Sequence, residues 1–233
     1  MKIINRRSVS SPFAALLFLT ALSVVQASAH DVWIEDTPDQ HLVIRFGEFG
    51  DELETSPGYL DSLSQPQAWT KNGGIDPIAF AVQKRTNSFL LVGASITNMA
   101  AAETAYEVLS ATNKPSRLPL FYARWQPVGA GAGVPTLTLD LVPQDKPGDI
   151  RVYFRGKPLV DETVSAYGPN DFQRELKTDA DGYVHFTLTA PGFYLFTCNH
   201  YREERFGYSG GRPYDLVSHN ASLTLRVPET AKP

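Results

Sequence analysis

One cysteine, Cys198, stands in a chain of 233 residues, so no intramolecular disulfide can form and the fold must be held by burial of apolar surface. The sequence has no Gly-rich phosphate loop, no Gly-x-Ser-x-Gly elbow and no Cys-x-x-Cys pair. Nucleotide binding, serine hydrolysis and zinc-ribbon chemistry are therefore without a motif. It has no basic excess either, with 21 Lys and Arg against 25 Asp and Glu. No basic stripe gathers anywhere, so neither nucleic acid nor an anionic membrane surface is an expected partner.

No apolar run reaches the ~20 residues that a spanning helix needs. The longest, Phe13 to Val25, follows Lys2, Arg6 and Arg7 and precedes Ala27-Ser28-Ala29, the layout of a cleavable secretory signal. We read residues 1–29 as that signal and expect a periplasmic mature protein with no membrane span after cleavage. Cleavage after Ala29 leaves 204 residues (233 less 29), takes the net charge from −4 to about −7, and makes His30 the new N-terminal residue. With 42% hydrophobic residues, 13 Phe, 10 Tyr and 3 Trp, what remains has the material for a sizeable core.

The patterning is that of an all-β protein. Leu42, Ile44 and Phe46 fall on one face of a strand by their period of two, as do Leu137, Leu139 and Leu141, then Ile150, Val152 and Phe154, then Val184, Phe186 and Leu188, then Ala221, Leu223 and Leu225. Turn signals such as Arg155-Gly156-Lys157-Pro158 and Asp179-Ala180-Asp181-Gly182 separate them. A central strand with aromatics on both faces is expected at Phe193–Asn199, and a long loop at Tyr201–Tyr214. The Ala- and Glu-rich stretch Asn98–Leu109 reads as either a helix or a loop, Tyr59–Leu63 reads as a short helix, and Gly129–Gly133 reads as a flexible breaker. The expected organisation is a β-rich, metal-binding N-terminal region over residues 30–143, with long loops and a short helix. A Greek-key β-sandwich of immunoglobulin or transthyretin type follows over residues 144–228.

The chemistry centres on His30. A free α-amine beside an imidazole offers two nitrogens of one residue to a single metal ion, and an amine that loses its proton near neutral pH gives up little in doing so. Imidazole suits nickel, copper and zinc, so ligand type alone does not choose among them. His219 opens the last strand at the rim of its apolar face, either as a ligand or as a structural histidine. His200 follows the central strand on the parity of Cys198, and the pair offers nitrogen and thiolate ligands unless Cys198 is a small buried hydrophobe. His41 and His185 fall on solvent-facing positions. The acidic loop Glu48–Glu54 is either a carboxylate source or a solvated loop. Two other readings stand beside metal capture. One is a copper enzyme built on an N-terminal histidine brace; the other is a carbohydrate- or protein-binding sandwich with a stacking surface made of Trp33, Trp69 and Trp125.

The start Ala29-His30-Asp31-Val32-Trp33-Ile34-Glu35 resembles the AHxFWLEP-like start of periplasmic nickel/cobalt-uptake accessory proteins of the NikM/NikK-like type. Further similarity lies in Gly156-Lys157-Pro158-Leu159, Val164-Ser165-Ala166-Tyr167, Thr178 to Gly182, Pro191-Gly192-Phe193-Tyr194 and Ser218 to Thr224. These later motifs recur in many carboxypeptidase-regulatory-like sandwiches. Val32 stands where an aromatic is usual, and we expect no hydrophobic C-terminal anchor of the kind some relatives carry. The resemblance implies a non-catalytic component that captures Ni²⁺ or Co²⁺, with Cu²⁺ or Zn²⁺ as alternatives, and passes it to a metal transporter or outer-membrane receptor. It points to His30 first, then to His219 and His200.

Overall fold

The computed structural model describes residues 30–71 and 76–229, the side chain of His200 excepted; the segment expected to be a signal, residues 1–29, lies outside the described residues. The described residues are almost wholly β, in three sheets. The middle layer has nine strands, with Phe172–Lys177, Thr163–Gly168, Gly192–Ser209, Arg212–Val227, Lys114–Trp125, Ala100–Ala105, Gln67–Thr70 and Ile78–Ala79 running side by side and Leu109–Ala111 added to Lys114–Trp125. It takes strands from both the N-terminal and the C-terminal half. They are joined by a parallel pairing that sets Leu216 to Thr224 beside Arg117 to Trp125.

A four-stranded sheet covers each face of this layer. One consists of Asp31–Asp36, Leu42–Gly47, Phe89–Val92 and Ala81–Lys84. The other consists of Leu139–Pro143, Asp149–Phe154, Lys157–Pro158 and Tyr183–His185. Strand alternation sorts the middle sheet between two cores. Ala100, Ala102, Phe121, Ala123 and Trp125 pack with Val32, Ile34, Leu42 and Ile44. Ala101, Tyr122, Ala221, Leu223 and Leu225 pack with Leu139, Leu141, Ile150 and Val152.

This double coverage explains a correction. Asn98–Leu109 contains neither a helix nor a simple loop but the strand Ala100–Ala105. Its alanines are small enough to be buried on both faces, and sheet packing overrides the helix propensity of the run. Tyr201–Tyr214 is also not a loop. Gly192–Ser209 and Arg212–Val227 form one long hairpin that reverses at Gly210-Gly211, whose φ values of 55° and 75° suit the tight turn. Its polar, two-sided pattern hid it, because an exposed ribbon shows no apolar alternation. The short helix at Tyr59–Ser62 is present as a 3-10 turn with Leu60 buried.

Gly129–Gly133 is tied down beside a buried ion pair. Arg124 donates to both carboxylate oxygens of Asp140, at 2.8 and 2.6 Å, and to the Val134 carbonyl. Asp140 in turn accepts from the Thr136 and Leu137 amides. Gln126 donates to the Gly131 carbonyl.

Candidate metal centre

His30 precedes the first strand and shares the face of Val32 and Ile34, which seats its ring against Phe46 with centroids 5.3 Å apart. Its Nε2 lies 2.5 Å from Glu54 Oε1. Glu54 is brought there by the acidic loop, which leaves the second strand at Gly47, returns through a bridge between Gly47 and Leu53, and anchors the Glu54 amide on the Phe46 carbonyl at 2.9 Å. Gly47 has φ 148°, and a Cβ there would lie 2.5 Å from the Glu52 carbonyl oxygen; the loop closes this tightly because the residue is glycine.

A carboxylate accepts from Nε2–H and so leaves the lone pair on Nδ1. Nδ1 is the ring nitrogen that closes a chelate with the α-amine of the same residue once the chain begins at His30. A carboxylate on the far ring nitrogen is the usual partner of a metal-ligating histidine, fixing tautomer and orientation. Among the described residues no three His, Cys, Asp or Glu side chains gather as a metal cluster. A metal chelated there by His30 alone would keep its other positions for water or an incoming ligand.

Asp31 sits next in the chain, 6% exposed. Burial pushes its carboxyl up to about 7, against the opposing pull of the Asn199 amide and of His30. Asn199 Nδ2 donates to Asp31 Oδ1 at 2.5 Å. It does so from a β-bulge, where Asn199 and His200 stand between the pairs Cys198–Ala221 and Tyr201–His219. A bulge re-aims side chains beside functional sites. The backbone of His200 thus adjoins the His30 corner, while its side chain lies outside the described residues.

His219 does not share this corner. It lies on the opposite face of the middle sheet, 1% exposed, among Tyr122, Phe154 and Tyr201. Nδ1 accepts from the Tyr122 hydroxyl at 3.0 Å and Nε2–H donates to Glu203 at 3.2 Å, so both ring nitrogens are engaged. Burial holds its pKa below the usual histidine value, opposed by Glu203. Cys198 is fully buried and its thiol is pushed up to about 12 by desolvation, which leaves no thiolate to ligate. Trp33 and Trp125 are core residues at 2% exposure and offer no stacking surface. His41 is exposed, and His185 is half outside with Nδ1 3.0 Å from Asp149.

Beside His30 opens a cavity of about 260 Å³, lined by Phe46, Tyr59, Tyr106 and Phe121 and by the polar residues Arg117 and Ser218. Sequence reasoning missed Glu54 as a particular partner within its acidic loop, and missed Asp31, Asn199 and Arg117 altogether. Their roles depend on strands far apart in the chain, and no local motif marks them.

A family model described as a domain of unknown function, DUF4198, matches residues 123–202. That span includes His200 and the bulge but neither His30, Glu54 nor His219. No curated protein and no solved structure matches the chain.

Proposed function

We propose that this chain is an exported, non-catalytic protein that binds a divalent transition metal at His30, Ni²⁺ or Co²⁺ foremost, and hands it to a transporter. The observation that carries the reading is the His30–Glu54 contact at 2.5 Å. It presets the tautomer in which Nδ1 and a freed α-amine face one ion together. Amine, imidazole and water oxygens make a donor set that suits nickel and cobalt, and an open site suits cargo that must leave again. The family match over residues 123–202 agrees with the nickel/cobalt-uptake resemblance of the sequence. His200 belongs to the proposal through its backbone position beside this corner.

The test is native mass spectrometry and calorimetry on protein beginning at His30, with Ni²⁺, Co²⁺, Cu²⁺ and Zn²⁺ offered in turn. One extra residue before His30 should abolish the high-affinity site by consuming the amine. Equal binding by both forms, or no binding by either, rejects the reading. Binding of Cu²⁺ accompanied by reductant-dependent oxidation of a polysaccharide would replace it with the copper enzyme.

A further inference from the structure

The cavity beside His30 has features that a bare metal ion does not call for. Its walls are aromatic: Phe46, Tyr59, Tyr106 and Phe121. It also holds Arg117, which is half-buried and has no carboxylate partner among the described residues; burial and the nearby Arg202 both lower its pKa. Glu54 is engaged by His30 and does not pair with Arg117, so the guanidinium repels an M²⁺ held nearby unless an anion accompanies the metal. Ser218 is 1% exposed and lines the same cavity, and among the described residues its Oγ has no hydrogen-bond partner. Leaving a buried hydroxyl unpaired is unfavourable, because its hydration is lost without replacement. A ligand group that accepts from Ser218 and Arg117 together removes both penalties.

We infer that this cavity binds a small organic carboxylate, its carboxylate group on Arg117 and Ser218 and its planar apolar body between the aromatic rings, beside the metal held by His30. The volume lies just below the usual ~300–1,000 Å³ of small-molecule sites, which limits the ligand to about the size of a single ring with one acid group. This deepens the metal-binding reading and rests on it for the second half of the claim: a carboxylate with its own donor atom would fill the open coordination positions, so the metal arrives as a chelate.

Two probes separate the parts. Benzoate has the ring and the charge but chelates poorly; picolinate adds a ring nitrogen that binds metal. Calorimetric titration of protein beginning at His30, metal-free and Ni²⁺-loaded, should show benzoate binding equally in both forms and picolinate at least tenfold tighter in the loaded form. Arg117→Gln should weaken both ligands at least tenfold and leave Ni²⁺ binding without carboxylate undiminished; Arg117→Lys should restore part of the loss, and Ser218→Ala should weaken both several-fold. Ni²⁺ binding with no carboxylate binding overturns this inference and leaves the metal site standing. Carboxylate binding in a protein that binds no Ni²⁺ upholds the cavity and overturns its link to metal. Carboxylate binding unaffected by Arg117→Gln overturns the assignment.

Discussion

Glu54 Oε1 and His30 Nε2 lie 2.5 Å apart across 24 residues of chain. The residue leading into the first strand is one partner and a loop closed at Gly47 carries the other. The contact leaves Nδ1, the ring nitrogen nearer the backbone, as the acceptor, which is the tautomer that the proposed bidentate ligand requires.

Removing the orienting group should cost affinity without removing the ligand. Glu54→Gln is expected to weaken Ni²⁺ binding about 10- to 100-fold, while His30→Ala abolishes it. Calorimetry on protein beginning at residue 30 measures both. Identical affinity in Glu54→Gln and wild type would show that the carboxylate does not set the tautomer.

Gly47→Ala should act on the same site from a distance. The added Cβ would meet the Glu52 carbonyl at 2.5 Å in a backbone region that glycine favours, so the loop must shift and carry Glu54 off His30. Metal affinity is expected to fall as in Glu54→Gln, with a lowered Tm besides; unchanged values for both would refute the account of the loop.

Breaking the buried Arg124–Asp140 pair should be among the most damaging single changes. Arg124 is 1% and Asp140 0% exposed. Arg124→Ala strands a carboxylate in the core and is expected to cost about 3–5 kcal/mol in urea unfolding. A loss below about 1 kcal/mol would mean that water reaches Asp140.

Acid should destabilise the fold partly through His219. Its folded pKa is depressed below 6.5 by burial, so the unfolded chain binds the extra proton first. The stability it contributes is present above pH 6.5 and is lost as pH falls through the folded value. Asp31 works in the opposite sense: its pKa is raised from 3.8 to about 7, so stability present at low pH is lost as pH rises through that range. Comparing Tm at pH 7.5 and 5.5, His219→Gln should lose less on acidification than wild type and Asp31→Asn should lose more. The same pH response in all three proteins would contradict both environments.

Cys198 should resist a thiol reagent in the native protein at pH 8 and react once unfolded, because burial removes both access and thiolate. Intact mass after brief alkylation reads this directly, and modification of the folded chain would place the thiol nearer solvent than its 0% exposure.

Much of the fold was legible in strands with one wet face or one clear period. Leu42, Ile44 and Phe46, or Leu223 and Leu225, announce themselves by their period of two, even though the residues between them, Val43 or Thr224, are buried as well. The run around Ala100–Ala105 did not, since a strand covered on both sides by small residues has no period to read. The ribbon over Tyr201–Tyr214 did not, because exposed faces carry no apolar signal. Within the site, His30 stood out through its place after Ala29, whereas His219 looked like its equal only because residue type and strand position say nothing about which side of a sheet a neighbour occupies.

The sequence by itself determined the all-β class, the alternating core positions and the residue at which a signal-type N-terminus would leave an amine beside an imidazole. These are local properties of pattern and composition. The tertiary structure alone decided that Glu54 rather than another acid of its loop meets His30, that Asp31 meets Asn199 at a bulge, that Arg117 and Ser218 share a cavity, and that His219 is sealed on the far face. Each of these is set by strand register across long separations, where a shift of one residue exchanges the two faces of the sheet.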